Sequence, residues 1–141
     1  MALELPVFDE VLNGTLDALV RTPDGGVWIW DWKREDELDA GEWEHCRPPV
    51  SHLWANKLTK HALQLNTYAF IVEQPRYADL FVSSPTHHVA GLRIIQIYPR
   101  SAEALAAGGR VVRTHVLRND LRAEVAAMRA IALLRGTRGE S

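Results

Sequence analysis

The chain has 141 residues, 47% hydrophobic and 24% charged, which fits one ordinary globular domain with a real core and excludes wholesale disorder. Its apolar runs break well before the roughly 18 residues that a membrane helix needs, and its amino terminus lacks a basic stretch followed by an apolar one, so no membrane segment is expected. A net charge of −2 provides no global attraction to a polyanion, and one cysteine, Cys46, cannot build a disulfide framework, which makes an intracellular setting the simpler expectation.

Residues 3–12 alternate weakly around Pro6 and are read as an edge strand or a helix-to-strand transition. Residues 14–22 and 27–33, rich in Val, Ile, Leu and Trp and separated by PDGG, are the clearest strands. From 34 to 56 the chain turns acidic, carries Pro48-Pro49 and shows no sustained period, which predicts a long loop with at most one helical turn. Residues 57–74 place Leu58, Ala62, Leu65, Ala69 and Val72 at spacings of three and four, the pattern of an amphipathic helix, with Thr59 near its start and Pro75 past its end. Strands are predicted at 91–99 and 110–117. A helix follows at 118–136, with Asn119 as N-cap and Gly136 as C-cap, and Gly108-Gly109 is read as a turn. The order β, β, β, α, β, β, α predicts an α/β domain in which a mixed central sheet is flanked by helices.

The TPDGG stretch sets a register. Proline, aspartate and glycine in succession fit a type I turn closed by a left-handed residue, so Pro23, Asp24 and Gly25 form the loop and Thr22 faces Gly26. Counting back pairs Val20 with Trp28, Ala18 with Trp30, and Asp17 with Asp31. Asp31 and Lys33 then share a face with Asp17, while Trp28, Trp30 and Trp32 point the other way, where packing beneath a helix is expected. Two opposed carboxylates repel unless a cation lies between them or one is protonated. A divalent cation resolves the conflict, because two carboxylates, a backbone carbonyl and waters are the hard donors that Mg²⁺ or Mn²⁺ prefers. Lys33 is placed to orient an attacking water or to neutralise phosphate charge. On the helix, Gln64 and Tyr68 are four residues apart on one face, with His61 close to the same side.

GTLDALV, WIWDWK and HALQLNTYA together resemble the PD-(D/E)XK nuclease superfamily, specifically its RecB-like branch. That pattern runs Gly-x-x-Asp, then Asp/Glu-x-Lys at the end of the next strand, then Gln-x-x-x-Tyr on the following helix. Gly14 and Asp17, Asp31 and Lys33, and Gln64 and Tyr68 match it, within roughly residues 4 to 74. The resemblance implies a restriction-endonuclease-like fold and a Mg²⁺- or Mn²⁺-dependent phosphodiesterase acting on DNA. It implies that Asp17, Asp31 and the Trp32 carbonyl ligate the metal, that Lys33 positions the water, and that Gln64 and Tyr68 orient the site or touch the nucleic-acid backbone. Relatives also carry an acidic residue, or in some cases a histidine, upstream of Gly-x-x-Asp; Glu4 is the candidate here and Glu10 a weaker one. Relatives generally have a helix or more before that point, whereas 13 residues precede Gly14, so the domain is read as a minimal or truncated version missing an N-terminal helix, or as the remaining part of a larger protein, with other domains or subunits of a DNA-processing complex as the implied partners.

Arg34, Arg47, Lys57 and Lys60 flank the predicted site and are the candidates for meeting phosphates, although a solvated charged face explains them equally well. His45, Cys46, His52 and His61 match no familiar zinc spacing. Two functional classes follow: an active nuclease, or a catalytically silent relative that binds nucleic acid or a protein partner on the same scaffold. Four intact site residues favour activity, since a domain without chemistry has no physical reason to hold two carboxylates together.

Overall fold

The TPDGG turn forms as its residues dictate. In the computed structural model, which describes residues 2–35, 37–82, 84–98, 102–109 and 111–137, Gly25 has φ of 86° and donates its N–H to the Thr22 carbonyl at 2.9 Å. Thr22 in turn donates to Gly26 at 2.9 Å, which closes the loop and sets the register of the strands on either side. These are β2 (Asn13–Arg21) and β3 (Val27–Arg34), antiparallel, pairing Arg21 with Val27, Val20 with Trp28 and Ala18 with Trp30 as the turn count requires.

β1 (Ala2–Phe8) is the edge strand, antiparallel to β2, and tolerates Pro6 there. After β3 the chain crosses through α1 (Lys57–Val72) and returns as β4 (Val89–Tyr98), parallel to β3; β5 (Val111–Leu117) completes the sheet antiparallel to β4. The five strands lie in the order β1-β2-β3-β4-β5. A 3₁₀ segment (Pro75–Phe81), α2 (Ala102–Gly108) and α3 (Arg122–Thr137) fill the connections and the carboxyl end. The domain is thus mixed α/β.

α1 starts where Asn56 caps it, accepting the Thr59 N–H at 2.7 Å, and packs Leu65, Ala69 and Val72 against Leu16, Leu19, Val27, Ile29, Leu92 and Ile94 of the sheet, with Ala62 also buried. α3 packs on α1. The junction between them is polar: fully buried Asn66 donates to the Ala62 carbonyl at 2.8 Å and accepts the Leu121 N–H at 3.0 Å, at the start of α3. Asn66→Ala leaves that N–H without a partner in a dry site, so urea denaturation is expected to show a loss of about 1–3 kcal/mol. The β1–β2 loop is tied to α3 by Asp9, which meets Arg129 at 2.8 Å. Although burial opposes ionisation there, hydrogen bonds from Leu12, Gln74, Val11 and Arg129 hold the Asp9 carboxyl well below the usual carboxylate range.

Three expectations are corrected. The last helix begins at Arg122, with the Asp120 carboxylate accepting the Arg122 N–H at 3.0 Å, so Asn119 is not its cap, and Gly136 lies inside the helix, which runs to Thr137. The Ala-rich stretch before Gly109 is helical and ends where Gly109 takes φ of 76°; it is too short to display a period. Trp28, Trp30 and Trp32 do not lie beneath α1, which covers the opposite face, the one carrying Val27, Ile29 and Asp31. The predicted strand ends at Pro99 and Arg110 fall outside the described residues. Among the described residues no helix is long and apolar enough to cross a membrane.

Candidate functional site

Alternation along β3 places Asp31 and Lys33 in one row, which Glu35 extends just past the end of the strand, and helical spacing places His61, Gln64 and Tyr68 in another on α1. The two rows meet rung by rung. Lys33 Nζ lies 2.8 Å from Asp31 Oδ2 and donates to Gln64 Oε1 at 3.0 Å; Gln64 Nε2 donates to the Tyr68 hydroxyl at 3.0 Å. One step along, His61 Nε2 lies 3.2 Å from Glu35 Oε1.

Asp17 enters from β2. The expected cross-strand pair of Asp17 with Asp31 is corrected: the ladder with β3 stops at Ala18 and Trp30, and beyond it the Asp17 carboxylate accepts the Trp32 N–H at 2.9 Å, replacing the backbone bond that continued pairing would supply. The carbonyl of Trp32 leaves the strand on the same edge as its N–H, toward β2 and beyond the last paired residues. Gly14 belongs to the same construction: a Cβ there would sit 2.5 Å from Cε1 of Tyr68, so only glycine lets the ring lie against β2.

The electrostatics are strained in one direction. Asp31 is 3% exposed, and burial, reinforced by the neighbouring Asp17 carboxylate, pushes its pKa up to about 6 against the pull of Lys33. Its Oδ2 is shielded from solvent and has the Lys33 ammonium beside it, but no well-formed hydrogen bond. Burial also raises the Tyr68 phenol and lowers the His61 imidazole, the latter despite Glu35 beside it.

The remaining predicted residues separate. Arg34 is exposed and lines an open cleft of about 450 Å³ with Trp32, Lys33 and Glu35. Lys57 and Lys60 are exposed along a second groove that reaches Gln64. Arg47 stands apart, with Pro48, Pro49 and Ile131 beside α3. Glu4 is exposed on β1; its neighbours Leu3 and Leu5 pair with Ala18 and Leu16, which sets it opposite Asp17 by count, but its φ of 49° interrupts the ladder there. Its carboxylate does not join the other two: among the described residues no three of His, Cys, Asp and Glu are grouped closely enough to hold a metal ion. Glu10 is committed to Arg129 at 2.8 Å. In the 34–56 loop Trp54 stacks on His45 with ring centres 4.1 Å apart, leaving Trp43 as the exposed aromatic side chain there.

The sequence reading missed Glu35. Its signal was present, since it follows Lys33 by two residues just past the end of β3, but its partner His61 is 26 residues away. Lys33 therefore sits between two carboxylates of its own row, and His61 occupies the second. His61→Ala is expected to release Glu35 to compete for the ammonium, shifting the ¹⁵Nζ resonance of Lys33; adding Glu35→Gln should restore it. A resonance unmoved in the single variant would show that His61 has no such role.

No family model, curated protein or solved structure matches this chain. The arrangement of its own residues therefore carries the functional argument.

Proposed function

We propose that this protein is a metal-dependent deoxyribonuclease of the RecB-like PD-(D/E)XK type, built on a restriction-endonuclease-like sheet. The observation that carries the reading is the joining of Gly14, Asp17, Asp31, Lys33, Gln64 and Tyr68, from three elements, into one connected cluster. The turn accounts for the first two motifs, but Gln64 lies 31 residues from Lys33, so its meeting with the hairpin is not a consequence of local geometry and supports the reading.

The donor set fits a small hard cation. Asp17, Asp31 and the Trp32 carbonyl would hold it, and Mg²⁺ commonly takes one or two carboxylates and fills its other positions with water and substrate phosphate, so the lack of a third acidic group is no obstacle. The shielded, poorly hydrogen-bonded Oδ2 of Asp31 is the atom expected to gain most from such an ion. When bound, the ion would lower the pKa of a water and offset charge on the phosphate.

The chain's own residues supply the rest. Gln64, steadied by Tyr68, holds the Lys33 ammonium at the edge of the carboxylate pair, where it can orient a water or neutralise a phosphoryl oxygen. Arg34, Lys57 and Lys60, which line the two open clefts, would meet the backbone of a DNA strand. The test incubates purified protein with single- and double-stranded DNA, with and without Mg²⁺ or Mn²⁺, beside Asp31→Ala and Lys33→Ala. Cleavage unchanged in the variants rejects the site, and no cleavage by any form moves the weight to a binding module on the same scaffold.

A further inference from the structure

The face of the sheet opposite α1 is apolar, closed at its middle, where Ala18 is buried and Trp30 and Arg93 are half-buried, and open at its edges. One register row crosses all five strands there: Leu3, Ala18, Trp30, Arg93 and Val116, each paired with the next. Its ends are bare, with Leu3 60% and Val116 45% exposed. Trp32, beside the row, is 36% exposed. In α2 the side chains of Ala102, Glu103, Ala106 and Ala107 are exposed to solvent.

Two physical facts say that this is not a finished surface. The VWIW run of β3, the strand that pairs in parallel with β4, is nearly continuously apolar, the pattern of a strand covered on both faces. The row also holds an uncompensated cation. The Arg93 guanidinium lies 5.3 Å from the Trp28 ring centre and 5.1 Å from that of Trp30, and among the described residues it has no carboxylate. Its Nε and the neighbouring Trp30 Nε1 are shielded from solvent without hydrogen-bond partners.

We infer that this face docks an amphipathic helix of a partner protein, with an apolar ridge along the row and a carboxylate that meets Arg93. Charge decides among the occupants. No side chain in the row is acidic, so a second copy packed face to face would bring two Arg93 groups together with nothing between them. Stacked nucleobases are disfavoured because Arg93 already lies over both rings, and Trp28 rests on Gly91 so closely that a Cβ there would overlap the ring. A helix is the regular cover for such a face, and a carboxylate gives the guanidinium a bidentate partner in a drying environment.

The test is independent of nuclease activity. The probe is a synthetic amphipathic helix of about 20 residues, long enough to cross five strands, with a Leu/Ala ridge and one central Glu, against the same peptide carrying Gln. Tryptophan emission of the full chain is followed during titration. A saturable blue shift is expected with the Glu peptide and about ten-fold weaker binding with the Gln peptide. Arg93→Gln is expected to abolish the difference between peptides while leaving the circular dichroism spectrum unchanged. Absence of a saturable shift, equal affinity for both peptides, or a preference that survives Arg93→Gln overturns the inference. So does a dimer in light scattering that Val116→Glu dissociates, which would give the face to a second copy, or a shift produced by oligothymidylate but not by the peptides.

Discussion

Asp31→Ala and Lys33→Ala are each expected to lower Mg²⁺-supported DNA cleavage by about 10³-fold, the usual scale for removing a group that acts on charge in the transition state. The two losses should differ in kind. Asp31 supplies a ligand, so its removal should weaken the dependence of rate on Mn²⁺ concentration and move the half-maximal metal concentration upward by at least about ten-fold. Lys33 holds no metal in this arrangement; it stands beside Asp31 and is braced by Gln64. Its removal should cut the rate at saturating metal while the half-maximal concentration moves by a few-fold at most. The separation is read from rates measured across a metal titration. A Lys33→Ala enzyme with full activity, or an Asp31→Ala enzyme with an unchanged metal requirement, would sink the assignment.

In the absence of metal, Asp31→Asn is expected to make the protein more stable at neutral pH. The folded site pushes the Asp31 pKa up to about 6 from 3.8, chiefly by burial and further by Asp17. Between those values the native state keeps a proton that the unfolded chain has released, so this residue's contribution falls as pH rises and is fully lost above the folded pKa. Below about pH 4 the carboxyl is neutral in both states, and the wild type and variant should unfold alike. Above pH 6 the variant should gain about 1–2 kcal/mol, a figure that allows for screening by solvent at the mouth of the site. Urea denaturation in the presence of chelator, compared pairwise at each pH, measures this difference and cancels other carboxylates such as Asp9. Millimolar Mg²⁺ should then stabilise the wild type but not the variant. A difference that grew toward low pH would mean that Asp31 is held by the fold as an ordinary stabilising anion.

These expectations describe a site held at some cost in stability, and much of it was legible in the chain. The PDGG turn placed Val20 against Trp28 and Ala18 against Trp30 because the loop's length and left-handed glycine leave one register. The three-and-four spacing of Ala62, Leu65, Ala69 and Val72 located α1, and the motif residues Asp17, Asp31, Lys33, Gln64 and Tyr68 do come together. Where the reading failed, the missing information was non-local. Glu4 shares the register of Asp17 by count, but its positive φ breaks the ladder, and no local signal announces that. The tryptophans alternate as a buried strand face would, yet alternation does not say which face the crossover helix will take.

The sequence by itself determined what lies within the reach of local geometry: turn type, strand register, helix phase, and which residues share a face, because these depend on neighbours a few positions away. Only the tertiary structure decided which faces meet. Packing of α1 onto the Asp31 side of β3 set Gln64 on Lys33 and His61 on Glu35, and left Trp30 and Arg93 on the outer face. That choice is made by the burial of the whole apolar set at once, a property of all the strands and helices together and not of any one stretch.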